Sequence, residues 1–279
     1  MNLSYTIDEI HLIITEKVNI INSNDHFSAK YKLESPIEYQ IYSLHIQSTY
    51  HENDIKRYNF FISAGIHGNE KTAVHALVEL IDQIPLLFKQ YNIPFNLFLI
   101  PCCNVHGYIH NKRNCSNSND LNRSFIINNE EEEEDIHSEE SNILKKYLQY
   151  LYLHYGNFVL SLDLHSSLYV QYNGFFAIIA KDTIHKYMNI LSQVMNNMHP
   201  YKLLKENISV YHLLQHGICY TNTLGTFKDY LKYMLHSNLS VTFEAPRLYE
   251  KEVQVNGLIM LCKTTILQWI KSVNNKSEE

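Results

Sequence analysis

Short runs of consecutive apolar residues alternate along this chain with longer stretches in which apolar residues recur every three or four positions. The runs are Tyr58–Ala64 (YNFFISA), Phe95–Ile100 (FNLFLI), Phe158–Leu164 (FVLSLDL), Phe175–Ala180 (FFAIIA) and Leu239–Phe243 (LSVTF). Each has the length of a buried strand. Between them, Lys71–Ile84 places Val74, Leu77, Val78 and Ile81 on one stripe of a helix. Pro85 should end or kink that helix, because it lacks an N–H and its ring clashes with the preceding turn. Asn142–Tyr155 and Ile184–Met198 repeat the helical pattern. Glu250–Lys271 carries Val255, Leu258, Ile259, Cys262, Ile266 and Ile270 on roughly one face. Strands alternating with helices predict an α/β fold with a mixed, mostly parallel central sheet flanked by helices.

One stretch breaks the pattern. Asn128 to Glu140 reads NNEEEEEDIHSEE, and a block of like charge marks a solvated loop at about 128–140. Ser138 or Ser141 can cap the helix that follows, and acidic residues suit its first turn. Nothing repeats internally, so residues 1–279 read as one domain.

Composition narrows the function classes. Apolar residues make up 45% of the 279, enough for a substantial core, and the formal charge is −6. A nucleic-acid partner is not expected, because neutralising phosphates needs clustered Lys and Arg. No run is long and apolar enough to span a membrane, and the N-terminus does not read as a secretory signal. Five cysteines, an odd number, fit a reducing cytoplasm.

Candidate chemistry gathers where predicted strands end. After YNFFISA comes Gly65-Ile66-His67-Gly68-Asn69-Glu70. After FVLSLDL comes His165, and after LSVTF comes Glu244. In open α/β sheets ligand sites lie beyond the carboxyl ends of the strands. Two histidines and a carboxylate form a common catalytic zinc set with one position open. A further acidic group beside them can take a proton from water. A polar stretch, Asn111 to Phe125 (NKRNCSNSNDLNRSF), carries Arg113, Asp120, Asn122 and Arg123. Arginine grips carboxylates with its planar fork, and a neighbouring Asn can donate to the same group.

In this order G-x-H-x-x-E, an Arg, D-L-N-R, a lone His after a strand and a late Glu, the chain resembles the zinc carboxypeptidase family from about Phe60 to the last helix. The resemblance implies that His67, Glu70 and His165 hold Zn2+, and that Asp120 orients the first ligand. It implies that Arg113 polarises the scissile carbonyl, that Asn122 and Arg123 grip a terminal carboxylate, and that Glu244 is the general base. Tyr220 is the nearest candidate for the tyrosine that covers bound substrate in many relatives. Asp229 falls roughly where the family lines its specificity pocket, and an acid there would favour a basic side chain.

Two branches share these motifs. The aspartoacylase and succinylglutamate desuccinylase branch appends a β domain after the glutamate. Here only an amphipathic helix and a polar tail follow, which favours the peptidase branch. The layout resembles the compact bacterial members such as murein peptide amidases. The implied substrate is a peptide, or else an acyl-amino acid, with a free carboxylate. A non-catalytic binding domain that kept the fold is disfavoured, because ligands, base and arginines are all present.

Overall fold

The computed structural model describes residues 5–33, 40–50, 56–125, 138–167, 171–207 and 211–274. Nine strands form one mixed sheet: β1 (Phe27–Leu33), β2 (Tyr42–Ser48), β3 (Tyr58–Ala64), β4 (Phe95–Ile100), β5 (Leu160–Ser166), β6 (Phe176–Ile179), β7 (Tyr211–Gln215), β8 (Ile218–Thr221) and β9 (Ser240–Ala245). Their spatial order is β1-β2-β4-β3-β5-β9-β6-β8-β7. The four central strands, β4, β3, β5 and β9, are parallel, and antiparallel pairs appear towards both edges. The helices are α1 (Ile7–Asn22), α2 (Lys71–Leu80), α3 (Gln83–Gln90), α4 (Val105–His110), α5 (Glu139–Tyr155), α6 (Ile184–Asn196), α7 (Phe227–Asp229, continued by a π-turn over Tyr230–Met234) and α8 (Lys251–Asn274).

Strand β5 shows how the sheet is built. In LSLDLHS, Leu160, Leu162 and Leu164 alternate with Ser161, Asp163 and His165, and successive side chains point to opposite faces. The leucines join a core that α2 and α8 cover. The polar set faces the other way. There Ser63 of β3 lies beside Asp163, and Thr242 and Glu244 of β9 lie beside Asp163 and His165. A polar stripe therefore crosses the middle of the sheet on one face.

Three expectations are corrected. The predicted helix over 71–84 is two helices, because α2 stops at Leu80 and α3 begins at Gln83. Pro85 stands in the first turn of α3, where the backbone N–H has no helical partner to lose. His165 and Glu244 lie within the last residues of β5 and β9 rather than beyond them. Their cross-strand pairing extends the ladder to their position. The N-terminal helix and hairpin and the short strands β7 and β8 are not among the predicted elements, although Ile10, Ile14, Val18 and Ile21 of α1 recur at helical spacing.

Most of the acidic block lies outside the described residues. Its end behaves as expected: Ser138 caps α5 in a reciprocal arrangement with Ser141, and Glu139 and Glu140 stand in the first turn. Glu140 is buried and accepts hydrogen bonds from the backbone N–H and hydroxyl of Ser116. All five cysteines are free and buried, and burial pushes the Cys102 and Cys219 thiols up to about 12. Among the described residues no helix is long and apolar enough to cross a membrane.

Candidate active site

The turn after β3 needs its glycines. Gly65 has φ +67°, a conformation that side-chain-bearing residues rarely adopt. At Gly68 an added Cβ would stand 2.0 Å from the backbone of Gly107 in α4. This close approach holds the turn against α4 and aims His67 and Glu70 at the end of β5. Glu70 is the residue at the N-terminus of α2, yet its side chain makes no capping bond to the helix. The carboxylate points instead to His67 and His165.

Three donor atoms converge. Glu70 Oε1 lies 2.8 Å from His67 Nδ1, Glu70 Oε2 lies 2.9 Å from His165 Nδ1, and the two Nδ1 atoms are 3.1 Å apart. One ligand atom from each of the three residues lies within 4.8 Å of the other two. The backbone N–H of Ser166 also donates to Glu70 Oε2 at 3.0 Å. Burial opposes ionisation of Glu70, but the two histidines outweigh it and hold the carboxyl well below its usual range. Burial alone would favour neutral His165. Asp163 and Glu70 on either side overcome that and raise its proton affinity well above the ordinary value.

Each histidine is steered from behind by a carboxylate. His67 Nε2 meets Asp120 Oδ1 at 3.2 Å, and His165 Nε2 meets Asp163 Oδ2 at 2.8 Å. Asp163 is fully buried and receives the Ser63 hydroxyl on its other oxygen at 2.8 Å. Asp163 had not been singled out for this position. The signal was the i, i+2 spacing within a leucine-alternating strand, which puts Asp163 and His165 on one face. Asp120 is a hub. It accepts from the Asn122 backbone N–H at 2.9 Å, and from Arg113 Nε and Nη2 at 3.2 and 3.0 Å. Burial of Asp120 is outweighed by His67, Arg113 and Arg123, so it stays ionised far below the usual range. Arg113 also reaches Glu70 Oε1 at 3.4 Å.

His67, Glu70 and Arg113 line one end of an open cleft that Glu244, Asn122 and Arg123 line as well. Asn122 accepts the Phe227 N–H on Oδ1 at 2.8 Å, which turns its N–H2 group towards the cleft. Arg123 is exposed, with Nη1 donating to the Asn122 carbonyl at 2.8 Å. Glu244 is buried, and its Oε2 has no hydrogen-bond partner among the described residues. Burial, aided by the nearby Glu70 charge, pushes its carboxyl up to about 8 against the pull of His165 and Arg113.

Two expected residues stand elsewhere. Tyr220 does not line the cleft. It stacks on His212 at 4.9 Å between ring centroids, beneath the Lys181 ammonium. Its strand neighbour Thr221 does line the cleft, so strand alternation sends Tyr220 to the opposite face. Tyr211 and Tyr172 occupy the cleft wall instead, and burial together with Glu244 raises the Tyr211 phenol above its usual range. Asp229 is buried away from the cleft. One oxygen pairs with Lys228, and the other takes the Thr226 hydroxyl at 2.7 Å. The residue that lines the cleft there is Lys228.

Two imidazole nitrogens and a carboxylate oxygen aimed at one point, each imidazole steered by a second carboxylate, suit a metal ion. The unpartnered Glu244 oxygen in the same cleft suits a site where something more than protein is held. A mixed α/β sheet carrying this cluster at the carboxyl ends of its central strands defines the class of zinc carboxypeptidase-like proteins. The chain belongs to the succinylglutamate desuccinylase/aspartoacylase catalytic-domain family, whose model matches residues 57–209, so the family match falls on the branch that the sequence layout disfavoured. No curated protein matches it by sequence.

Solved structures share the fold. A metallopeptidase candidate from Shewanella denitrificans OS217 superposes with a TM-score of 0.72 at 18% identity, covering 93% of this chain and 89% of that one. Carboxypeptidase A from Helicoverpa armigera gives 0.71 at 14% identity, covering 97% and 74%. A metallo-carboxypeptidase from Pseudomonas aeruginosa, in complex with (2-guanidinoethylmercapto)succinic acid, gives 0.64 at 15% identity, covering 94% and 69%. At these identities the likeness is one of fold.

Proposed function

We propose that this chain is a zinc-dependent hydrolase that cleaves the amide bond joining a C-terminal amino acid to the rest of a peptide. The observation that supports the reading is the shared cleft: His67 and Glu70 of the metal-ligand trio, buried Glu244 and the Asn122–Arg123 pair all line the same space, and His165 stands directly behind against Glu70. His67, Glu70 and His165 are the residues that would hold the ion. Zinc bound there supplies Lewis-acid chemistry, lowering the pKa of a water and polarising a carbonyl. Glu244 takes the proton from the attacking water and returns it to the leaving amine. A carboxyl whose affinity for protons is raised by burial suits both steps near neutral pH. Arg113, whose Nε and Nη2 are held by Asp120, lines the cleft and would set its guanidinium charge against the charge that develops on the carbonyl oxygen. Asn122 and Arg123 bind the free carboxylate of the leaving amino acid. Tyr211 or Tyr172, which line the cleft where Tyr220 does not, would cover it.

A second reading is N-acyl amino acid deacylation with the same residues. The family match favours it. The carboxypeptidase neighbours, one carrying a succinic acid derivative, favour a peptide with a terminal carboxylate. A digest separates the two. Zinc-loaded protein is given benzoylglycyl dipeptides, murein-derived peptides, and N-acetyl and N-succinyl amino acids, and products are read by mass spectrometry. Release of C-terminal residues from peptides is the expected result. Turnover of the N-acyl amino acids alone would replace this reading with the second.

A further inference from the structure

Arg113 and Asp120 meet as a pair beside His67, and the chain between them does not line the cleft. Segment 114–119 is a tight turn held together from inside. The Cys115 N–H donates to the Asn119 carbonyl and the Ser118 N–H to the Cys115 carbonyl, both at 3.0 Å. The Asn114 side chain donates to the Ser118 carbonyl at 2.6 Å. At its tip the turn is clamped from outside. Glu140 Oε1 accepts the Ser116 N–H and Oε2 accepts the Ser116 hydroxyl, each at 3.1 Å. Glu140 stands in the first turn of α5, which the Ser138–Ser141 cap fixes and which buried Leu144, Leu148 and Leu151 seat in the core. A core helix therefore holds the turn that brings Arg113 to Asp120.

A helix start gives no reason to bury this acid. The exposed Glu139 next to it already suits the positive end of α5. Glu140 is only 1% exposed, and taking a carboxylate out of water is costly unless a cation or strong donors compensate. Among the described residues no Lys, Arg or His pairs with it, and both oxygens are spent on Ser116. Hydrogen bonds to an ionised acceptor are stronger than neutral ones, so the arrangement gives up solvation for a stiff clamp. The ends of the segment are tied elsewhere. The Arg113 carbonyl is held by the Asn104 side chain at 3.1 Å and by the Gly68 N–H at 3.4 Å, and Asn122 is held by the Phe227 N–H. Between these anchors the turn hangs on α5 through Glu140.

We infer that Glu140 is a positioning residue: through Ser116 it sets the turn that seats Asp120 behind His67 and Arg113 against Asp120. It belongs to neither the ligand trio nor the cleft lining. The inference concerns the metal site first, and only its kinetic consequence rests on the hydrolysis proposed above. Releasing the clamp lets Asp120 and Arg113 drift together, which loosens His67 as a ligand and Arg113 as a charge facing the substrate.

The test compares Glu140→Ala, Glu140→Gln and Ser116→Ala with Leu148→Ala, which weakens the packing of α5 but leaves the clamp intact. Each zinc-loaded protein is measured for zinc affinity by chelator competition, for kcat and KM on benzoylglycyl dipeptides, and for melting temperature. Glu140→Ala should lose about tenfold in zinc affinity, in the range of changes behind a metal-binding histidine. Its kcat should fall by a similar factor while KM moves less than about twofold, because Asn122 is anchored separately. Glu140→Gln keeps one acceptor oxygen and should recover part of both losses. Ser116→Ala keeps the N–H contact and should cost less than Glu140→Ala. Leu148→Ala should lower the melting temperature with zinc affinity unchanged. If Glu140→Ala fails to fold, Glu140→Gln and Ser116→Ala still carry the comparison. Folded clamp variants with wild-type zinc affinity, or a Leu148→Ala that loses zinc as strongly, would overturn the inference. Weakened zinc binding in the Glu140 variants of a chain that cleaves no peptide would sink the proposed reaction while leaving the role of Glu140 standing.

Discussion

On one side of the cleft, His67, Glu70, Asp120, Arg113, His165 and Asp163 form a closed network in which each charged group faces an opposite one. On the other side Glu244 leaves an oxygen without a hydrogen-bond partner among the described residues, and threonine hydroxyls of Thr221, Thr223 and Thr226 line the cleft. The electrostatic consequence is opposite. Glu70 and Asp120 are held far below the carboxylate range, whereas Glu244 is pushed up to about 8. A rigid, charge-satisfied wall suits the holding of an ion. A wall with under-partnered groups suits moving a proton and reading a substrate.

If that division holds, the largest effect should come from Glu244→Gln. The amide matches the carboxyl in size but cannot take a proton, and general base catalysis is worth about 10²–10⁴-fold. Turnover should fall towards the upper end of that range, with zinc content and melting temperature close to wild type. Near-wild-type kcat in zinc-verified variant would remove Glu244 from the chemistry.

Next in size is the carboxylate grip. Amidating the substrate's C-terminus should lower kcat/KM about tenfold to a hundredfold, the cost of losing hydrogen bonds to a charged group. Arg123→Ala should slow the free acid by a similar factor and narrow the gap between acid and amide. Matched acid and amide substrates that wild type cleaves equally well would point to an endo-acting enzyme.

The closed wall is probed by Asp163→Asn. It keeps the shape behind His165 but removes the charge that steers the ring. Such outer-shell changes cost about 10–100-fold in metal affinity. Zinc titration against a chelator reads this directly, and unchanged affinity would show that His165 needs no such support.

These positions also show what the chain's pattern of residues could and could not reveal. His165 and Glu244 were legible because each stands at a strand end, where a shift of a residue or two still leaves it at the sheet's carboxyl edge, and His67 and Glu70 because a short glycine-bearing turn joins β3 to α2. Asp120, Asn122 and Arg123 could be grouped because they share one local turn, in which the Asp120 side chain accepts the Asn122 N–H. The second wall depends on which face a residue takes in short edge strands and in a distorted helical turn. There a shift of one position exchanges Tyr220 for a neighbour, or Asp229 for Lys228, and local sequence gives no register. Asp163 lay between these cases. The Leu-Ser-Leu-Asp-Leu-His alternation announced its face, but only the packed sheet shows Ser63 and His165 closing on it.

The smallest expected effect concerns stability and pH in protein stripped of metal with a chelator. Glu244 binds its proton more tightly folded than unfolded, with a folded pKa raised from 4.5 to about 8. His165 is shifted in the same direction from 6.5. Three histidines act the opposite way, His75 lowered to about 4 by burial and His45 and His11 lowered too, but that opposition fades above about pH 7, where their unfolded forms are neutral as well. Between about pH 7 and 8.5 Glu244 and His165 therefore decide the sign, and stability falls as pH rises. Melting temperature should be lower at about pH 8.5 than at about pH 7, and Glu244→Gln should flatten the slope. A rising melting temperature over that range would contradict the electrostatic contrast between the two walls.

The central claim is that the closed wall holds one zinc ion. Its most direct test is the metal content of purified protein by plasma mass spectrometry, for wild type, His67→Ala and His165→Ala, with circular dichroism to verify the fold of each. The account predicts one zinc per chain in wild type and loss of most of it in both variants, which stay folded. Folded variants that retain a full equivalent of zinc, or a wild type that takes up none when zinc is supplied, would contradict it.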